Sequence, residues 1–208
     1  MLMFKAMKKT TDINTSPRRL GAENAHNRHA LLDAAELIMR EEGYAAVTSR
    51  HVAARAGLKP QLVYYYFRTM DDLLLAVFRR RSERGFDNLQ ALLDAPRPLR
   101  ALWQLLNDPA HGVLTAEFMA LAHHRKIISD EIALQAEQLR ALQAGLISQL
   151  LDARGIDTTQ YPPAMLAMMM TTLSQVLVRE REFGISSGHA ELKAMIEGFI
   201  ARLEPGDS

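Results

Sequence analysis

A chain of 208 residues, 48% hydrophobic and 24% charged, can bury a sizeable core unaided, and these proportions exclude disordered, collagen-like and coiled-coil chains. It has no cysteine, which removes disulfide frameworks, thiolate zinc sites, thiol catalysis and iron–sulfur ligation and is compatible with a reducing compartment. The net charge of +1 conceals an asymmetry: residues 1–85 hold 15 Lys/Arg against 9 Asp/Glu, and residues 86–208 hold 10 against 15. A basic first part points to a polyanionic partner or, more plainly, to a solvated basic face.

Residues 1–23 carry Thr10, Thr11, Asn14, Thr15, Ser16, Pro17 and Gly21 without an apolar period, and a flexible basic arm is expected there. No apolar stretch of signal-peptide length follows Lys5, Lys8 and Lys9. From Asn24, apolar residues at Leu31, Leu32, Ala35, Ile38 and Met39 recur at helical spacing, and Gly43 supplies a left-handed cap. Thr48 or Ser49 can cap a short second helix that ends at Gly57. Pro60 suits the first turn of a third helix reaching Tyr66. Thr69 with Asp72 forms a capping box for a long fourth helix, Met70 to about Asp94, stopped by Ala95-Pro96-Arg97-Pro98. Further helices are expected over Leu99–Leu106, Val113–His124, Ser129–Ala153, Pro162–Phe183 and His189–Leu203, with no strand. The longest apolar runs, Leu73 to Phe78 and Ala164 to Met170, fall far short of the roughly 18 residues that a membrane span needs, so a soluble, cytoplasmic, all-α protein of about nine helices is expected. The charge balance flips near Arg84 to Phe86, which suggests a division into residues 24–85 and 86–208.

Counted from Ser49, a twenty-residue window has the pattern of a helix-turn-helix. Val52, Ala56, Leu58, Val63 and Tyr66 fall where two helices bury apolar contacts. Ala53 falls where they cross too closely for a larger side chain, and Gly57 where the turn needs a positive φ. Gly57 alone would be a routine helix end; the coincidence of all seven is specific.

Residues 28–80 resemble the DNA-binding domain of the tetracycline-repressor (TetR) family of transcriptional regulators. The likeness is carried by Val47-Thr48-Ser49-Arg50-His51-Val52-Ala53, Ala56-Gly57, Leu62-Val63-Tyr64-Tyr65-Tyr66-Phe67 and Asp71-Asp72-Leu73-Leu74. The resemblance implies a homodimeric regulator, most often a repressor, that binds a palindromic double-stranded operator and is released by a small-molecule effector. A third helix entering the major groove would turn Lys59, Pro60, Gln61, Leu62 and Tyr65 toward bases, with Gln61 suited to adenine and Lys59 to guanine. Thr48, Ser49 and Arg50 open the second helix, whose amides favour a phosphate. Tyr64 and Tyr65 resemble the family's phosphate clamps, and Tyr66 reads as core. The family commonly has a lysine where this chain has Met70; Arg68 is expected to take that phosphate contact, aided by the arm with Lys8, Lys9, Arg18 and Arg19.

Beyond residue 85 nothing matches closely. Trp103, Leu106, Phe118, Met119, Ala122, Met165, Met168, Met169 and Thr172 are candidate lining for an effector cavity, with plain core packing as the alternative for each. The acidic, Met-rich character of this part favours a small apolar or neutral amphipathic effector, unless Arg125 or Lys126 turns inward to hold a carboxylate. Leu173, Val176, Leu177, Leu192, Ile196, Phe199 and Ile200 form stripes suited to a four-helix bundle between two copies. His123 and His124 are adjacent and diverge by about 100° on a helix, so no metal or cofactor site is expected, nor any catalytic residue. The competing class is a helical ligand carrier or metal-dependent enzyme with a purely structural helix-turn-helix. The fourth helix, joining reader to cavity, is the expected lever of release.

Overall fold

The computed structural model describes residues 17–204. Among them the chain forms nine α-helices and no strand: α1 (Pro17–Glu42), α2 (Ser49–Arg55), α3 (Pro60–Tyr66), α4 (Met70–Leu93), α5 (Pro98–Leu106), α6 (Pro109–Ala122), α7 (Lys126–Asp152), α8 (Pro163–Glu182) and α9 (His189–Leu203). A single 3-10 turn, Tyr44–Ala46, joins α1 to α2. The starts of α1, α6 and α7 differ from expectation by three residues or more, α7 beginning at Lys126 and not at Ser129. Helix α1 begins at Pro17, so residues 17–23, expected to belong to the arm, are helical, and Lys8 and Lys9 lie outside the described residues. Helix α6 begins at Pro109, which opens the helix where it was expected to break the chain, because proline at a first helical position lacks only an N–H that is orphaned there anyway.

Local signals act where the sequence places them. Thr48 caps α2 by accepting from the His51 N–H at 3.3 Å. At α4 the Thr69 hydroxyl accepts from the Asp72 N–H and the Asp72 carboxylate accepts from the Thr69 N–H, both at 3.0 Å.

Two apolar cores result. The first gathers α1, α2, α3 and the first half of α4, with Leu114, Phe118 and Leu121 of α6 and Ile128 of α7. The second gathers Leu89, α5, the far half of α7, α8 and α9. The two cores do not themselves part at residue 85, since Leu114, Phe118, Leu121 and Ile128 belong to the first. Helix α6 is late in sequence but joins the first core, packing on α1 and the 3-10 turn, and its Phe118 meets Phe78 of α4 edge to face at 5.1 Å. The second core is closed from its far end by Glu204, 6% exposed, whose carboxylate accepts from the backbone N–H groups of Leu99 at 2.6 Å and Arg100 at 3.0 Å. The last described residue thereby satisfies orphan donors at the start of α5.

Candidate nucleic-acid interface and effector cavity

The turn between α2 and α3 is built by backbone hydrogen bonds around a glycine. Gly57, at φ +67°, donates to the Ala54 carbonyl at 3.1 Å, and Leu58 donates to the Ala53 carbonyl at 2.9 Å. This Schellman arrangement requires a left-handed residue just past the helix. Val52, Ala53 and Val63 are wholly buried where the helices meet, and Ala56, Leu58 and Tyr66 pack partly buried against them, so all seven positions of the motif have the environment their spacing demanded. The Tyr66 hydroxyl donates to Asn24 at 3.0 Å, which ties α3 to α1.

The opposite face is polar and open. Thr48, Arg50, Lys59, Pro60, Gln61, Tyr64, Tyr65 and Arg68 are exposed, and Ser49 and Leu62 are half-buried. Tyr65 is 69% exposed, unusual for an aromatic with a core beside it. The Tyr64 hydroxyl donates to Ser49 at 3.3 Å, bringing the expected phosphate-binding groups of α2 and α3 side by side. Among the described residues, Arg50, Lys59 and Arg68 make no ion pair. Nearby Arg55, by contrast, is paired with Glu41 at 2.8 Å and Glu42 at 3.0 Å, and Arg28 stacks on Phe67 at 5.2 Å.

A cavity of about 660 Å³ lies where the two cores meet, a size that suits a small organic ligand. Helix α4 faces it with Phe78, Arg81, Ser82, Gly85 and Leu89, spaced by three and four residues so that they share one side of the helix. Helix α1 adds Glu36 and Arg40, α6 adds Gly112, Thr115 and Met119, and α7 and α8 add Gln143, Thr171 and Ser174. Helix α6 therefore has one face in the first core and the other on the cavity. Gly112 allows this. A Cβ there would collide with the Val178 side chain, so only glycine lets α6 lie this close to α8.

Charge on the cavity wall comes mainly from the N-terminal half. Glu36 accepts from Arg40 at 3.3 Å, Arg80 at 2.9 Å and Arg84 at 2.6 Å. Burial pushes its carboxyl up, but the guanidiniums of Arg84 and Arg80 outweigh burial and hold it below the ordinary carboxylate range. Arg81 donates to the Thr115 hydroxyl at 2.8 Å. Burial lowers the Arg81 guanidinium from its ordinary value; Glu36 opposes this, and Arg84 and Arg40 reinforce it.

Of the lining residues expected from sequence, Leu106 and Met119 face this cavity. The others do not. Phe118 and Trp103 are core residues, and Ala122 packs against the first core. Met165, Met168, Met169 and Thr172 lie on the exposed side of α8, because Leu166, Ala167 and Met170 take its buried side. Arg125 pairs with Asp71 at 3.0 Å and Lys126 with Asp130 at 3.0 Å, so neither turns inward. In the expected bundle stripe, Leu177, Ile196 and Ile200 are consumed by the chain's own second core. Sequence reasoning missed Glu36, Arg40, Arg81, Gly112 and Gln143. None of them carried a signal in the sequence, since even Gly112 fell just before the helix expected from Val113. A second missed link joins the regions: the Glu117 carboxylate of α6 accepts from the Tyr44 N–H at 2.7 Å, in the turn that leads into α2.

Among the described residues no group of three or more His, Asp or Glu could hold a metal ion, and no helix is long and apolar enough to cross a membrane.

Known proteins share this architecture. A family profile described as bacterial regulatory proteins, tetR family, matches residues 31–77, the stretch from mid-α1 through the first half of α4. The HTH-type transcriptional regulator BetI of Rhizobium meliloti is 40% identical over 68 residues, 33% of this chain and 34% of that protein, so the match spans about a third of that relative's length. Two solved structures extend the likeness over most of the chain. A TetR transcription regulator from Haloarcula marismortui superposes with a TM-score of 0.66 at 21% identity, covering 86% of this chain and 97% of that one. Salmonella enterica GusR does so with a TM-score of 0.63 at 16% identity, covering 91% and 94%. At such identities they share the fold. The fold likeness extends over most of the chain, whereas the sequence match to the tetR family profile is confined to residues 31–77, the stretch that holds the helix-turn-helix.

Proposed function

We propose that the chain is a ligand-responsive, DNA-binding transcriptional regulator, a binding protein and not a catalyst, that represses by occupying a palindromic operator as a homodimer in the cytoplasm. The observation that carries this reading is the open face of α2 and α3, where Arg50, Lys59 and Arg68 stand without described carboxylate partners beside exposed Gln61, Tyr64 and Tyr65. Gln61 and Lys59, at the start of α3, read base edges; Thr48, Ser49, Tyr64 and Arg68 hold phosphates, with Arg50, Pro60, Leu62 and Tyr65 completing the contact.

One chain offers one recognition helix, whereas specific affinity at physiological salt generally needs two half-sites about one helical turn or a multiple of it apart. The second copy docks on α8 and α9. Met165, Met168 and Met169 on α8 and Met195 on α9 expose an apolar surface that single-chain packing leaves open. The effector is a small apolar or amphipathic molecule in the cavity. Helices α4 and α6 each touch both the reader and the cavity wall, so a ligand that shifts either changes the spacing of the two recognition helices. Linkage fixes the size of the effect at the ligand's preference for the DNA-incompetent spacing, commonly about 1–3 kcal/mol, and operator must weaken ligand binding equally.

Selection from a random duplex library by the full chain, in physiological salt, tests the reading. Enrichment of a two-fold-symmetric sequence bound by a dimer is expected. Binding that stays indifferent to sequence, or a chain that remains monomeric with DNA at micromolar concentration, overturns it.

A further inference from the structure

We propose that the cavity takes a neutral amphipathic ligand with a carbonyl or similar acceptor oxygen, which the side-chain amide of Gln143 holds while the apolar body lies against α4 and α5. This rests on the reading of the cavity as an effector site and names the ligand class. Gln143 lines the cavity from α7 and is only 3% exposed. Its Oε1 accepts from the Thr171 hydroxyl of α8 at 3.3 Å, and the Ser174 hydroxyl in turn donates to the Thr171 carbonyl at 2.8 Å. Among the described residues the Gln143 Nε2 donates to nothing.

A primary amide carries two N–H donors. A donor left unmet on a buried side chain costs more than a made hydrogen bond returns, so a wall that holds one favours a ligand that supplies an acceptor over an equally shaped one that does not. Leu89, Leu102 and Leu106 line the same cavity and suit the ligand's body. The charged groups between α1, α4 and α6 are already engaged: Arg40 and Arg84 share Glu36, and Arg81 donates to Thr115. A charged head would have to break those contacts or be buried without a counter-ion, and a neutral one does neither. A neutral head agrees with the sequence expectation, on the ground of engaged arginines and not of acidic balance.

The same geometry joins ligand class to release. A head fixed on α7 gives the body a firm point from which to press on Phe78 and Leu89 of α4, the helix whose first half belongs to the core of the helix-turn-helix.

Titration of the full chain with three aryl probes tests the proposal: butyrophenone, 2-phenylpent-1-ene, in which a methylene replaces the carbonyl oxygen, and 4-phenylbutanoate. In Gln143→Met the affinity ratio of ketone to alkene should fall about three- to tenfold from its wild-type value. Alkene binding should stay unchanged, which also reports that the cavity is still folded. Gln175→Met, at an exposed lining residue, should leave the ratio as it is. The anion should bind more weakly than the ketone. In the wild type, where no variant has to fold, the carbonyl stretching band of bound butyrophenone should lie below its position in heptane, the mark of a hydrogen-bonded oxygen. A ratio that survives Gln143→Met, an equal fall in Gln175→Met, a band at the heptane position or tighter binding of the anion overturns the proposal and leaves the cavity reading standing. Binding of none of the three overturns both.

Discussion

Around the helix-turn-helix, Val52, Ala53 and Val63 expose nothing, a glycine holds the turn, and the polar residues of the motif face outward. Where the second core begins, six helices stand apart around about 660 Å³, and polar residues such as Arg81, Gln143 and Ser174 face inward. The contrast follows from what each region must meet. A groove in DNA has fixed dimensions, so its reader gains from a closed core that admits one arrangement. A ligand site needs space, and the packing energy forgone there is recovered when a ligand fills it. Because α4 and α6 belong to both regions, the proposed function routes the effect of a ligand in the open one to the closed one through these two helices.

Replacing Phe118 breaks this contrast most directly. It lies in the second half of the sequence but in the first core, against Phe78. Phe118→Ala should cost about 3–5 kcal/mol, measured by chemical denaturation, and should weaken DNA binding at temperatures where the wild type is folded. If stability fell while DNA binding at low temperature kept its full affinity, α6 would not be part of the reader's foundation.

On the reader's outer face the expected losses are in binding and not in folding. Gln61→Ala should relax sequence preference at one position per half-site at a cost of about 1–3 kcal/mol, whereas Arg68→Ala should weaken all duplexes alike and flatten the salt dependence. Quantitative binding to single-position operator variants at two salt concentrations separates the two. An unchanged preference profile in Gln61→Ala would move base reading to another residue.

Gly112→Ala acts at the seam of α6 and α8. The new methyl meets Val178, a side chain stiff at χ1, so α6 must shift; a cost of about 1–3 kcal/mol is expected, along with altered cavity binding. A thermal melt and a titration with a small amphipathic probe such as decan-1-ol check both, and a variant matching wild type in each would show that the seam yields freely.

The smallest effect is a pH dependence. The folded-state carboxyls of Glu36 and Glu131 are both held low, the first by Arg84 and Arg80 against burial and the second chiefly by Arg79. A depressed carboxyl contributes stability that is fully present above its unfolded value and is lost as pH falls through the ordinary glutamate range to the lowered folded one. Stability should therefore be flat near neutrality and decline in acid. Glu36→Gln should make that decline shallower in denaturation curves taken at stepped pH.

The reader was legible in the sequence because its determinants are local. Gly57, the Thr48 cap and the Thr69–Asp72 box each act within four residues, and the apolar spacing on α2 and α3 admits one packing side. The cavity was not legible, because its wall is assembled from helices far apart in sequence: Glu36, Arg81, Met119, Gln143 and Ser174 come from five of them. Helix α8 shows why composition misleads. Methionine occurs on both of its sides, Met170 buried and Met165, Met168 and Met169 exposed, and a helix apolar all round does not announce which side faces a ligand, a core or another copy.

The Glu204 cap on α5 has a temporal consequence. The first core lacks no described member once Ile128 has been synthesised, but the N–H groups of Leu99 and Arg100 receive their carboxylate only when residue 204 arrives. At about 5–20 residues per second the interval is roughly 4–15 s. In each nascent chain the first core can be complete while the second still awaits its closing residue; under the proposed function, a chain ending before Glu204 would keep its DNA reader and lose the cap on the part proposed to control it.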